Sequence, residues 1–457
     1  MTLPSQHRNA KTAALDEIRK DDLNATMDRK NGHNAKRSGL VAILDVGTSK
    51  VCCMIAKPEP VPGYMSESGR KTQLRVIGFG HQRSQGIKSG VIVHMDAAEQ
   101  AIRATVDQAE RMAGRIVDDV ILSISCGRLK SDIFSASVAI ASESVRQRDI
   151  DKVMTAGREY AERDNRMVLH TLATGYRLDE GNAVSDPRGM IADRLSVDVH
   201  AVAADQPPIR NLMLCVERCH LSVAGLVATP YASGLSAISD AEAALGVTCI
   251  DMGAGTTGLS VLADGQFAYC DAIALGGNHI SLDLARHLST PLEEAERIKT
   301  LHGCAFAAAS DEGEIISYPV MGEHDAPQFN QTSKAQIAQL VQQRIEEILE
   351  TARDRLESSG LRDVAGQHIV LTGGASQLAG LSDYAARIFS KSVRLGRPRH
   401  LPGLPEQGVG PAFTTATGLL QYAMREPAQF SAYSETRMLK TGTGYFSRVG
   451  QWIRESF

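Results

Sequence analysis

The spacing of apolar positions changes several times along the chain, and each change marks a block. LVAILDVG (40–47) is a near-continuous apolar run ending in Asp and Gly, TSK has turn composition, and VCCMIAK (51–57) runs back out. That pattern predicts a β-hairpin with a buried first strand. QLRVIGFG (73–80) predicts a third strand. In DAAEQAIRATVDQAERMAG (96–114), Ala98, Ile102, Val106, Ala109 and Met112 recur at helical spacing, with Asp96 placed to cap the helix and Gly114 to stop it. DDVILSISC and SDIFSASVAI predict strands and RDIDKVMTAGREYA a second amphipathic helix, so residues 86–166 read as an α+β unit of their own. RMVLHTLATGYRLDE and DRLSVDVHAVAA then read as strands, PPIRNLMLCVERC as a helix, and DAEAALG as a short acidic link.

After that link the opening pattern returns. Ile-Leu-Asp45-Val-Gly47-Thr48-Ser49 is echoed by Cys-Ile-Asp251-Met-Gly253-Ala-Gly255-Thr256-Thr257. Each is an apolar strand ending in Asp, with Gly two positions on and a hydroxyl-rich turn leading into a second strand. GLSVLADG and QFAYCDAIAL supply the second and third strands of the later copy. Such duplication predicts two similar α/β lobes. A third glycine motif, HIVLTGGASQLAGLSDYAARIF (368–389), reads as strand, Gly373-Gly374, polar turn and helix. Between the two lie helical stretches at 292–303 and 334–360, and a last helix follows at 411–426.

Composition narrows the classes. In 457 residues, 43% hydrophobic and 22% charged positions exclude wholesale disorder, and a formal charge of −4 leaves no global basic field to gather nucleic acid. No run of eighteen apolar residues occurs and no apolar segment follows the charged N-terminus, so neither a membrane span nor export is expected. Residues 1–38 carry eight Lys/Arg and five Asp/Glu without periodicity and read as a mobile tail. The eight cysteines are scattered through apolar runs; Cys215 and Cys219 form one C-x3-C without the second pair a zinc site wants, so reduced, buried thiols are expected.

Two Asp-x-Gly turns pointing at one another suit a nucleotide's phosphates. Glycine lets backbone N–H groups approach the oxygens, Ser and Thr hydroxyls add donors, and strand-end aspartates hold Mg²⁺ through water. Asp45 and Asp251 are the metal-proximal pair on this reading. One such turn alone is ordinary turn chemistry; a tandem repeat followed by a strand-Gly-Gly-helix segment outweighs it.

The ordered motifs Asp45-Val-Gly-Thr-Ser-Lys, Ile250-Asp-Met-Gly-Ala-Gly-Thr-Thr-Gly and Leu371-Thr-Gly-Gly-Ala-Ser resemble the two phosphate motifs and the adenosine motif of the actin, heat-shock chaperone and sugar kinase superfamily. Within it, SKVCCMIAK, GIKSGVIVHMDAAEQAIRATVDQAERMAG, EEAERIKTLHGCA and IVLTGGASQLAGL resemble segments of the FtsA cell-division family over about residues 39–426. The resemblance implies an α/β, actin-like fold of two duplicated ribonuclease-H-like lobes around an ATP cleft. Its parts would be a first lobe at 39–85, 167–240 and 395–426, an inserted subdomain (1C) at 86–166, a second lobe at 241–290 and 365–394, and that lobe's outer subdomain at 291–364.

Carried over by motif, Gly47, Thr48, Ser49 and Lys50 would face the phosphates from the first lobe and Gly253, Gly255, Thr256 and Thr257 from the second. Gly276, Gly277, Glu296 and Lys299 would reach sugar and base, and Gly373, Gly374 and Ala375 would lie along the adenosine. Glu296 and Lys299 share a helix face, which a plain surface ion pair would also explain. Relatives that hydrolyse ATP well commonly carry an acid or glutamine where this chain reads Ala228-Thr229-Pro230. A threonine cannot act as a general base at neutral pH, so slow turnover is expected, with ATP setting conformation and polymerisation.

Residues 427–443 are polar and aperiodic, a linker, and a terminal amphipathic segment, 444–457, follows. Tyr445, Phe446, Val449, Trp452, Ile453 and Phe457 gather on one side of a helical wheel, and Trp452 is the only tryptophan. Large aromatics on a tethered helix with few charges favour insertion at a bilayer interface over core packing.

The resemblance implies a non-enzymatic adaptor that anchors the FtsZ ring to the cytoplasmic face of the inner membrane at the septum. FtsZ's C-terminal peptide would dock near 291–364, the chain would self-associate, and later division proteins would be recruited. The alternatives are a pilus-assembly adaptor of the same actin-like group and a sugar kinase, which Asp-x-Gly-Thr-Ser also opens.

Overall fold

The computed structural model describes residues 39–61, 72–161, 166–179, 181, 183–184, 186–322, 328–361 and 364–425. The tail expected at 1–38, the linker at 427–443 and the helix at 444–457 lie outside the described residues. The first sheet begins with β1 (Val41–Val46), β2 (Lys50–Pro60) and β3 (Thr72–Arg83), paired antiparallel in register Asp45↔Cys52 and Cys52↔His81. A short hairpin, β4 (Ile87–Lys88) and β5 (Val91–Ile92), leads to α1 (Met95–Ala113). His94, not Asp96, caps this helix: its Nδ1 accepts from the Ala97 N–H. Gly114 stops it in the left-handed region at φ 61°.

Helix α1 lies on β3 because the strand reads Val-Ile-Gly-Phe-Gly. A Cβ on Gly78 or Gly80 would overlap the carbonyl oxygens of Ala109 or Thr105 on the helix. β6 (Asp119–Ile124) then runs parallel to β1 through Ile43↔Ile121, and β11 (Ser222–Ala228) runs parallel to β6. The strand order is β11-β6-β1-β2-β3.

The inserted unit therefore starts later than the sequence suggested. β7 (Lys130–Ala139), β8 (Arg166–Leu178), β9 (Ala183–Val184) and β10 (Arg194–Asp205) form a separate antiparallel sheet ordered β7-β10-β8-β9. It is covered by α2 (Gln147–Ala161) over a small core of Val145, Ile150, Val153, Leu195, Val197 and Val199. Helix α1 and strand β6, expected inside the unit at 86–166, belong to the first lobe, whereas β8 and β10, expected in that lobe, belong to the insertion. Apolar periodicity identified these strands, but it carries no information on which strands pair.

Helix α3 (Gln206–Arg218) returns the chain to the first lobe, and α4 (Thr229–Ala237) leaves it. The acidic link is not a loop: α5 (Asp240–Leu245) is fixed by a capping box in which the Glu242 N–H donates to Ser239 Oγ and the Ser239 N–H to Glu242 Oε2. The second sheet follows as β12 (Val247–Met252), β13 (Thr257–Ala263) and β14 (Gln266–Ile273). Helices α6 (Gly277–Leu288) and α7 (Leu292–His302), the hairpin β15 (Ile315–Pro319) and β16 (Phe329–Ser333), and α8 (Lys334–Ser358) form its outer part. β17 (His368–Thr372), α9 (Leu381–Phe389) and β18 (Ser392–Leu395) complete it, and α10 (Thr414–Ala423) returns to the first lobe.

The order β14-β13-β12-β17-β18, three antiparallel strands and then two parallel ones, matches the first sheet strand for strand. Asp45 and Asp251 occupy equivalent places one residue before the ends of β1 and β12. Duplication read from two short motifs thus extends through both sheets.

The insertion is rooted between the lobes. Two histidines of its sheet, His170 and His200, are buried; the His170 Nε2 accepts from the Ala228 N–H at 2.9 Å, and its ring stacks on Tyr231 of α4 at 4.3 Å. Tyr231 in turn lies 4.1 Å from Phe267 on β14. Burial pushes the His170 imidazole down to about 3, with His200 adding to the effect, and pushes His200 down to about 4. Both titrate near 6.5 in an unfolded chain, so between pH 6.5 and these lower values the unfolded state binds the extra protons. Their contribution is whole above about pH 6.5 and is lost as pH falls, at up to ~1.4 kcal/mol per pH unit for each histidine. Thermal melts are expected to hold between pH 7 and 8 and decline from pH 6.5 to 5, with a shallower decline in His170→Phe.

Candidate functional site

The two Asp-x-Gly turns close in the same way. The Gly47 N–H donates to the Lys50 carbonyl at 3.0 Å, and the Gly253 N–H to the Thr256 carbonyl at 2.9 Å. They meet across the gap between the lobes: a Cβ on Gly255 would overlap Thr48 Oγ1 and come within 2.8 Å of Ser89 Cα. Thr48 is itself fixed, its Oγ1 accepting from the Gly90 N–H at 3.0 Å. Behind the turns opens a cleft of about 540 Å³. Asp45, Gly47, Thr48, Ser49 and Lys50 line it from the first lobe, and Asp251, Gly253, Gly255 and Thr256 from the second. Gly277, Glu296, Lys299, Gly373, Gly374 and Ala375 line the remainder.

Gly373 explains why the third motif needs glycine. Its φ is +87°, and a Cβ there would overlap Asp251 Oδ1. Lys299 donates to Glu296 Oε2 at 2.6 Å and to the Gly277 carbonyl at 3.2 Å, so the pair forms the ion pair a surface helix would show and still sits on the cleft wall. The N–H groups of Gly277 and Asn278, at the start of α6, donate to the carbonyls of Gly253 and Ala254, tying that helix to the second turn.

Two residues of the expected set lie elsewhere. Thr257 is buried and its Oγ1 donates to the Leu275 carbonyl at 2.9 Å, because the side chain falls on the interior face of β13. Gly276 is outside the lining; it precedes α6 and its N–H donates to His279 Nδ1, so it shapes the loop behind the wall. Lys50 lines the cleft, but its Nζ donates to the Ala412 carbonyl and sits 4.4 Å from the Phe413 ring centroid. Its ammonium is therefore held along the wall formed by residues 411–413.

Asp45 and Asp251 are only 8% and 6% exposed. Burial raises both carboxyls above their ordinary range; Lys50 and Ser123 oppose this at Asp45, and Ser233, Thr415 and Lys50 at Asp251. Asp251 adds to the rise at Asp45, so the two negative charges feel each other. Two desolvated carboxylates on one cleft favour a cation between them. No cluster of three or more metal-ligating side chains occurs among the described residues. That donor set fits magnesium, which keeps much of its water and takes one or two carboxylates, with phosphate oxygens as the other ligands. Thr229 Oγ1, at the start of α4 on the cleft lining, is buried with no hydrogen-bond partner among the described residues.

Sequence reading missed the groups that hold the aspartates. Ser123 Oγ donates to Asp45 Oδ1 at 2.8 Å, and Ser233 and Thr415 donate to Asp251 Oδ2. The available signal was composition: TPYASGLSA and TTATGLLQYA, the α4 and α10 sequences, are both crowded with small and hydroxyl residues. All eight cysteines are free thiols, six of them buried.

Comparison with known proteins places this architecture. The family described as "Cell division protein FtsA" matches residues 248–418, and the SHS2 domain inserted in FtsA matches 126–203, the region of the separate antiparallel sheet. The cell division protein FtsA of Agrobacterium fabrum (strain C58) is 48% identical over 427 residues, covering 93% of this chain and 96% of that protein. That of Rhizobium meliloti (strain 1021) is 46% identical over 425 residues, with the same coverage, 93% and 96%. Among solved structures, a chain of the PilM-PilN type IV pilus biogenesis complex superimposes with a TM-score of 0.58 at 15% identity, covering 84% of this chain and 99% of that one. The structural likeness establishes an actin-like fold and no more, whereas the sequence identity holds across nearly the whole length: this chain belongs to the FtsA family of cell-division proteins.

Proposed function

We propose that the chain is an ATP-binding, actin-like adaptor that tethers the FtsZ ring to the cytoplasmic face of the inner membrane at the division septum. The observation that carries the nucleotide part is the pair of identically closed glycine turns on one cleft, each preceded by a buried aspartate. The turn amides and the hydroxyls of Thr48, Ser49 and Thr256 would bind the phosphates, and Asp45 and Asp251 would hold Mg²⁺ through its water. Mg²⁺ supplies charge neutralisation for the phosphate oxygens when bound. Glu296 and Lys299 would meet the sugar and base, with Gly373, Gly374 and Ala375 along the adenosine.

Thr229 supports slow turnover. Its hydroxyl can hold a water at the cleft wall but cannot take the water's proton at neutral pH. Thr229→Glu is expected to raise ATP turnover at least ~10-fold over the wild type, measured as phosphate release with the protein on liposomes. A wild-type rate already equal to that of a committed ATPase would exclude the role assigned to ATP here.

Membrane attachment is assigned to residues 444–457 on their amphipathic pattern. One short helix binds reversibly, and self-association of the actin-like bodies would present many such helices at once. In the test, the full chain and a chain lacking 444–457 are sedimented with FtsZ and liposomes. FtsZ is expected in the pellet with the full chain, and at least ~10-fold less of it with the truncated one. Equal recovery would refute the anchor, and FtsZ left in the supernatant by liposome-bound full chain would refute the tether. FtsZ's C-terminal peptide is assigned to the outer part of the second lobe, and recruitment of later division proteins to the inserted sheet.

A further inference from the structure

The two strand-end aspartates are equivalent in the fold but not in their support. Among the described residues, Asp45 accepts one side-chain hydrogen bond, from Ser123 on the adjacent strand β6 of its own sheet. Asp251 accepts two on the same oxygen, Oδ2: one from Ser233 and one from Thr415 at 3.0 Å. The two hydroxyls are themselves 2.9 Å apart, which closes a triangle, and all three residues are buried.

Neither hydroxyl comes from the sheet that carries Asp251. Ser233 is on α4, where the chain first leaves the first lobe for the second, and Thr415 is on α10, where it has come back. The two helices are in backbone contact, since a Cβ on Gly418 of α10 would overlap the Ala232 carbonyl of α4. Thr415 is further set by its neighbour: Thr414 Oγ1 donates to the Pro411 carbonyl and lies 2.7 Å from Thr372 Oγ1 on β17. With Oδ2 committed, Oδ1 is the oxygen left near Gly373 at the cleft.

We propose that Ser233 and Thr415 are positioning residues that hold Asp251 for the divalent cation accompanying the nucleotide. The inference rests on the ATP reading above. Two hydroxyl donors on one oxygen fix the rotation of a buried carboxylate, the role that partners behind a metal ligand commonly play.

The test is equilibrium binding of ATP, by calorimetry, with Mg²⁺ and with EDTA. It compares the wild type with Thr415→Val, which keeps the shape and loses the hydroxyl, Ser233→Ala, and Thr415→Ser, which restores the donor. The wild type is expected to bind more tightly with Mg²⁺. That enhancement should shrink about 10-fold in Thr415→Val and Ser233→Ala, with EDTA affinities unchanged, and return in Thr415→Ser. A purely structural role would weaken both affinities equally and leave the ratio intact, which would overturn the inference while the ATP reading stands. Failure of the wild type to bind ATP would overturn both. Should Ser233→Ala not fold, Thr415→Val and its serine rescue decide the matter.

Discussion

Gly255→Asp is expected to weaken ATP binding at least ~100-fold, about 2.8 kcal/mol. The new Cβ has no room: Thr48 Oγ1 and the Ser89 backbone occupy its position. Thr48 could turn, but Ser89 sits at φ 47° in a tight turn and its backbone cannot yield without moving the hairpin that follows β4. The two glycine turns would be pushed apart. The added carboxylate would also sit on a cleft whose two existing carboxyls are already raised by burial and, at Asp45, by the neighbouring charge. Gly410→Ala is the control, since a Cβ there meets open space and its φ of −78° suits any residue. Calorimetric ATP titration should separate the two variants, and near-equal affinities would remove the phosphate turns from the proposed site.

Gly418→Ala should be strongly destabilising, costing about 3 kcal/mol. Helices α4 and α10 lie backbone to backbone at this point, and the Ala232 carbonyl oxygen stands where the methyl would go. Every side chain from Pro230 to Ala237 on α4 is buried, so the helix cannot slide aside without disturbing the sheet beneath. Urea denaturation should show the loss as a lower midpoint. An unchanged midpoint would mean that the crossing tolerates separation.

The sequence carried local features well and pairing poorly. The glycine turns were legible because their chemistry is local: a Gly two residues past an Asp, then hydroxyls, fixes both the turn and the donors. The repeat made the two-lobe architecture legible, since one strand-turn-strand pattern occurs twice. The insertion's limits were not, because Asp119–Ile124 and Lys130–Ala139 are both short apolar strands, yet the first pairs with Ile43 and Leu44 and the second with His200 and its neighbours. That choice is made by contacts distant in sequence. Thr257 lies off the cleft for a related reason: motif position put it beside Thr256, but it opens β13 with its side chain buried and its Oγ1 donating to the Leu275 carbonyl. Ser233 and Thr415 act together only because two helices 177 positions apart, 237 to 414, cross in space.

Helix α10 has a consequence for the order in which the protein is made. It packs against β1, β2 and β6 and covers α4, so the first lobe is incomplete until a segment synthesised after the entire second lobe has emerged. On the ribosome the first sheet must wait with its α10 face uncovered, a long-range closure of the kind that slows folding and invites chaperones. The aromatic stretch at 444–457 emerges only after α10 has been made. If that stretch is the anchor proposed above, a nascent chain would have no means of reaching a bilayer before the piece that closes its first lobe exists, and the order of the segments would delay attachment until closure is possible.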